Sequence, residues 1–127
     1  MSRKMKFRAW HKKNKTMLRN PTFVITNGLL ESMECEIMQF TGLTDIKGKD
    51  IYEGDIVKTT TTHGDTVSVG SVQFSHGVFG AEWTRNITNK AMVGTFGQLH
   101  NLKSLDDHII DRLEVIGNIY ENSELLK

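Results

Sequence analysis

Residues 4–13, KMKFRAWHKK, alternate with period two, so Met5, Phe7, Ala9 and His11 fall on one side and Lys4, Lys6, Arg8, Trp10 and Lys12 on the other. That is the pattern of a strand with one wet face. The polar run KKNK at 12–15 reads as a turn, after which Thr16-Met17-Leu18 pairs back antiparallel. Asn20-Pro21 ends this unit. Asn27-Gly28 then lies between β-formers and predicts a second hairpin.

The stretch LLESMECEIM, 29–38, fits a helical face through Leu29, Leu30, Met33 and Ile37. It equally fits a strand through Met33, Cys35 and Ile37; the reading adopted is a loop leading into a strand at Met38–Thr41. TDIKGKDIYEGDIV resolves into two turns around a short extended piece: Asp45 and Gly48 bracket the first, and Glu53-Gly54-Asp55 turns the chain into the strand Ile56-Val57-Lys58. Asp55 is expected to accept backbone N–H groups of its own turn, so Gly48, Gly54 and Asp55 are read as structural turn residues. Glu53 and Asp55 raise the question of a metal or catalytic site, and the turn accounts for both without one.

TTTTHGD, 59–65, predicts a polar hairpin tip. In TVSVGSVQF, Val67 and Val69 share one parity while Val72 and Phe74 share the other. An extra residue at Gly70-Ser71 would return all four to the core side, predicting a β-bulge in a bent strand. Ser75-His76-Gly77 turns the chain into the partner strand VFGAEW. The pattern loosens at 84–90 and recovers at AMVGTF. Leu102, Leu105, Ile109 and Leu113 then follow helical spacing behind a Ser104–Asp107 capping pair. LEVIGNIY alternates as a late strand, and Asn122 or Ser123 would cap a last helical turn ending at Leu125-Leu126. The whole predicts one domain over 1–127: mainly β, a small curled barrel with long hairpins and one or two short helices near the C-terminus.

Composition changes this picture little and charge changes it more. With 127 residues, 38% hydrophobic and 24% charged, one compact core is expected. No run reaches the roughly 18 apolar residues that span a bilayer and no secretory signal opens the chain, so a cytoplasmic protein with no membrane partner is expected. The single Cys35 forms no internal disulfide and reads as a reduced packing or surface residue. The net charge of +1 hides a division: residues 1–30 carry eight basic side chains and no acid, while the remainder carries eight basic and fifteen acidic ones. Such a basic segment serves as an arm for nucleic acid, docks on an acidic face of its own chain or a neighbouring subunit, or forms a solvated edge strand guarded by lysine.

Chemistry is harder to find. His11, His63, His76, His100 and His108 make no metal-binding spacing, and the densest group, His100 with Asp106, Asp107 and His108, reads as a capped, solvated helix. No phosphate loop, nucleophile elbow or dinucleotide fingerprint occurs. No catalytic residue, metal site or cofactor is assigned.

Three blocks carry a family resemblance: MKFRAWHKKNKTM at the start, MQFTGLTDIKGKDIYEGDIVK in the middle and LEVIGNIYENSELL at the end. In this order and spacing the sequence resembles the YopX family of phage and prophage proteins, departing from it at Ser123, where the family usually has proline. The resemblance implies a β-rich fold similar to an SH3-type barrel, a phage or prophage origin and no established enzymatic role. Two binding modes follow as expectations. One is a non-catalytic accessory protein acting through protein contacts, as a homo-oligomer or on a protein partner. The other is nucleic-acid binding, in which Lys4, Lys6, Arg8 and Lys12 meet phosphates and Trp10 stacks on a base; about four contacts would give a salt slope near −3 to −4.

Overall fold

The computed structural model describes residues 5–23, 25–28, 34–60, 66–86, 93–99 and 113–127. The strands, in chain order, are β1 (Phe7–His11), β2 (Thr16–Leu18), β3 (Cys35–Thr44), β4 (Asp50–Tyr52), β5 (Asp55–Thr60), β6 (Thr66–Ser75), β7 (Val78–Asn86), β8 (Phe96–Gln98) and β9 (Glu114–Asn118). They form two antiparallel sheets, one ordered β2-β1-β3-β4 and the other β8-β7-β6-β5-β9. A 3-10 turn, Ser123–Leu126, follows and lies against β6. The fold is mainly β, with the larger sheet curled by register shifts.

The short loops carry the local geometry that their sequences demand. Lys15 closes the 12–15 turn with φ 54°, and both Asn27-Gly28 and His76-Gly77 place two successive residues at positive φ, as two-residue hairpin turns require. The strands beyond Asn27-Gly28 lie outside the described residues. So do the greater part of the 59–65 tip and residues 102–112 of the helix expected over 102–113; Thr59 and Thr60 of that tip belong to β5, and Leu113 is buried outside any helix. β3 begins at Cys35, three residues before the expected start, because Glu36 and Cys35 continue the ladder opposite Trp10 and His11. The last turn is 3-10, and Asn122 does not cap it: its Oδ1 accepts the Asn118 N–H at 3.1 Å instead.

The expected bulge exists, but its extra residue is on the other strand. Val69 pairs with Arg85 and Gly70 with Trp83, so Thr84 is the residue left over, on β7. Val69 and Val72 are both buried although they point to opposite faces, because β6 is covered on both sides; Phe74 stays 55% exposed near the hairpin end. The core lies on one face of the larger sheet, where Val57, Val72, Ala81, Trp83 and Val115 meet Ile51 from β4, together with Leu99 and Leu113. Gly70 makes this packing possible, since a Cβ there would stand 2.4 Å from the Glu82 carbonyl oxygen and 2.8 Å from the Trp83 ring.

The two sheets meet at Gly54. Its φ of +84° turns β4 directly into β5, its N–H donates to the Val72 carbonyl at 2.9 Å, and its carbonyl accepts from Ile119 N–H at 2.8 Å. One residue earlier, Glu53 N–H donates to the Gln39 carbonyl of β3 at 3.0 Å. One turn thus joins β3, β6 and the chain after β9.

Candidate functional site

The face of β1 that alternation marks as wet is turned toward the junction of the two sheets. Arg8 is only 3% exposed. Its Nη2 lies 2.8 Å from Oδ1 of Asp55 and donates to the Glu53 carbonyl at 3.1 Å, while its guanidinium sits 4.8 Å from the centre of the Tyr52 ring. Asp55 is buried too, and its Oδ2 accepts the Tyr52 N–H at 2.8 Å. Burial pushes the Asp55 carboxyl above its ordinary range, with Arg8 pulling against that shift. The guanidinium is incompletely satisfied, for its Nε is buried without a hydrogen-bond partner.

The other members of the basic stripe are also engaged within the chain. Lys6 pairs with Asp50 and lies 4.4 Å over the centre of the Phe40 ring. Its ammonium pKa is raised, chiefly by the hydrogen bond it donates to Asp50. Trp10 stacks on Tyr120 with ring centres 5.2 Å apart and an interplanar angle of 12°. Burial raises the Tyr120 hydroxyl pKa, and Glu36 adds to the effect. Lys12 pairs with Glu36 at 3.2 Å. Lys4 lies outside the described residues. The basic strand therefore docks on acidic and aromatic groups of its own chain, with Arg8 and Trp10 covered on what alternation alone marks as the solvent side.

The turn residues occupy the places their sequence suggests. Gly48 has φ 79° and donates to the Asp45 carbonyl at 3.0 Å. Asp45 does more than bracket this turn: Oδ1 accepts from Lys47 N–H and Lys49 N–H, and Oδ2 accepts from Val115 N–H at 2.9 Å. It fastens the β3–β4 turn to β9, a link with no local signal in the sequence. Asp55 accepts a backbone N–H of its own turn as expected, and its pairing with Arg8 is the part that sequence reading missed. Among the described residues no three His, Cys, Asp or Glu side chains converge as a metal site. His63, His100, Asp106, Asp107 and His108 lie outside those residues.

Where β1 begins, the side chains open outward. Met5 is 57% exposed, and Phe7 meets Phe23 edge to face at 6.2 Å. Together with Pro21 these side chains wall a cleft of about 280 Å³ whose polar rim includes Lys6, Arg19 and Asn20. Arg19 is exposed and makes no ion pair among the described residues. Leu18 and Ile25, nearby in sequence, are 39% and 67% exposed. A second, wider groove is lined by His11, Lys12, Lys13 and Asn14 with Glu34 opposite.

The same architecture occurs in solved proteins. The crystal structure of protein EF1440 from Enterococcus faecalis superposes with a TM-score of 0.64 at 26% identity, covering 99% of this chain and 100% of that one. The crystal structure of protein YopX from Bacillus subtilis superposes with a TM-score of 0.59 at 21% identity over 95% of this chain and 97% of its own. No curated protein matches the chain at significance. No helix among the described residues is long and apolar enough to cross a membrane. The family model described as YopX protein matches residues 22–127, beginning just after the β1–β2 hairpin. With the match extending over most of its length, the chain belongs to the YopX family.

Proposed function

We propose that this chain is a non-catalytic phage or prophage accessory protein that acts in the bacterial cytoplasm through protein contacts, as a homo-oligomer or on a protein partner. One observation carries the reading: in the N-terminal segment the cations Lys6, Arg8 and Lys12 have acidic partners in the same chain, whereas apolar Met5, Leu18 and Ile25 face solvent. Apolar side chains left outside while charged ones are engaged favour a protein surface over a phosphate backbone. Family membership supports the phage origin. The curled meander β5–β8, flanked by the returning strand β9, supports kinship with SH3-type barrels.

Nucleic-acid binding is the second reading, and exposed Lys13 and Lys15 in the 12–15 turn favour it. Two phosphate contacts would give a salt slope of about −2, shallower than the −3 to −4 of four contacts. Pull-down of a tagged chain from phage-infected cells, with and without nuclease, separates the two readings. Protein partners that survive nuclease support the proposal. Recovery of nucleic acid alone, with a salt slope near −2, replaces it with the second reading.

A further inference from the structure

We infer that the cleft at the start of β1 is a docking notch for an acidic peptide segment of a partner protein, one that inserts a single large apolar side chain with a carboxylate beside it. This rests on the protein-contact reading above and names its site and partner class. The walls are apolar and aromatic, from Met5, Phe7, Pro21 and Phe23, and the volume of about 280 Å³ suits one side chain rather than a drug-sized ligand. The two charged groups on the rim are both cations. Of these, Lys6 is committed to Asp50, while Arg19 is exposed and makes no ion pair among the described residues. An unpaired guanidinium beside an apolar slot selects a carboxylate, which it holds by two parallel N–H···O bonds.

Charge complementarity points the same way on a larger scale: residues 1–30 contain no acid, and while Lys6, Arg8 and Lys12 have acidic partners within the chain, exposed Lys13, Lys15 and Arg19 make no ion pair among the described residues. A nucleic-acid strand fits the notch poorly: one free guanidinium gives about one phosphate contact, too few for measurable affinity at physiological salt. The wider groove beside His11 fits an acidic partner less well, since Glu34 stands on its wall.

The test uses the purified full chain and a fluorescein-labelled peptide centred on Ser-Glu-Phe-Glu-Ser, compared by anisotropy with the same peptide carrying lysine for glutamate. The glutamate peptide is expected to bind and the lysine peptide to bind at least roughly tenfold more weakly. Arg19→Glu should reverse that preference, and because Arg19 is exposed the variant should keep the wild-type melting temperature. Met5→Ser should weaken the glutamate peptide without reversing the preference. Equal binding of both peptides, no binding of the glutamate peptide at millimolar concentration, or an unchanged preference in Arg19→Glu overturns the inference. So does an oligothymidylate that binds where the glutamate peptide does not. Partners captured from cells equally well by wild type and Arg19→Glu would overturn the notch while leaving the protein-contact reading standing.

Discussion

The Arg8–Asp55 pair offers the most discriminating test of how this fold is held together. Both side chains are almost completely removed from water, 4% and 2% exposed, and one bond length of 2.8 Å joins them. Removing one partner leaves the other charge buried and uncompensated, a loss of about 3–5 kcal/mol. The two single substitutions differ in how they respond to pH. In Asp55→Asn the stranded group is a guanidinium, which keeps its proton at every accessible pH, so lowering the pH brings that variant no relief while it protonates the raised-pKa carboxyl of the wild type. In Arg8→Met the stranded group is a carboxyl whose pKa burial already raises above its ordinary 3.8. A carboxyl with a raised folded-state pKa contributes stability that is fully present below its unfolded value and is lost as pH rises through the folded value. The penalty in Arg8→Met should therefore shrink as pH falls toward 4, while that in Asp55→Asn does not. Urea unfolding followed by tryptophan fluorescence supplies the free energies at each pH. Asp55→Leu, alone or with Arg8→Met, orphans the Tyr52 N–H, but the double variant leaves no buried charge, so it should cost at least about 2 kcal/mol less than the sum of Arg8→Met and Asp55→Leu measured singly. Single substitutions costing under about 1 kcal/mol, or a double variant as unstable as the sum, would refute the pairing as described.

Other positions give simpler expectations. Gly54→Val combines a φ of +84° with a Cβ placed 2.9 Å from the Met38 sulfur, and should lower stability by about 2 kcal/mol or more in thermal melts. Gly70→Ala meets backbone at 2.4 Å, which cannot swing aside, and should cost about 3 kcal/mol or prevent folding; a melting temperature equal to wild type would contradict the packing of Trp83 over this residue. Asp45→Ala orphans the N–H groups of Lys47, Lys49 and Val115, for about 3 kcal/mol, with hydrogen exchange at Val115 expected to accelerate with it. Trp10→Ala should cost roughly 2 kcal/mol through loss of the Tyr120 stack, read by near-ultraviolet circular dichroism.

What could be read from the sequence was local. The turns at 12–15, Asn27-Gly28, Gly48, Gly54 and His76-Gly77 announce themselves because a left-handed backbone restricts residue choice on the spot. Alternation in β1 correctly separated two faces and could not say which is inside. Arg8 appears solvated until Asp55 and Tyr52, far along the chain, are brought beneath it. The phase slip in β6 correctly signalled a disturbed ladder. It misplaced the extra residue because a strand covered on both sides need not hold its valines to one parity, and Thr84 lies in a stretch with no apolar rhythm. Asp45 reads as an ordinary turn residue, and its bond to Val115 spans 70 positions with nothing local to mark it. The cleft was missed for a similar reason: Met5 and Phe7 were expected to share a core face, whereas Met5 stands in solvent and Phe7 lines the opening with Phe23.

The stack of Trp10 on Tyr120 ties together two residues 110 positions apart in the chain. A ribosome adding roughly 5–20 residues per second needs on the order of 5–20 s to travel between them. Through that interval the first strand emerges with an indole and a guanidinium whose aromatic and acidic partners have not all been made. The nascent chain can curl its central hairpins early, but it cannot seal the N-terminal strand until Tyr120 has been made. Chains cut short before Tyr120 would therefore display the β1 tryptophan to solvent, an indole face that the longer chain covers with the Tyr120 ring.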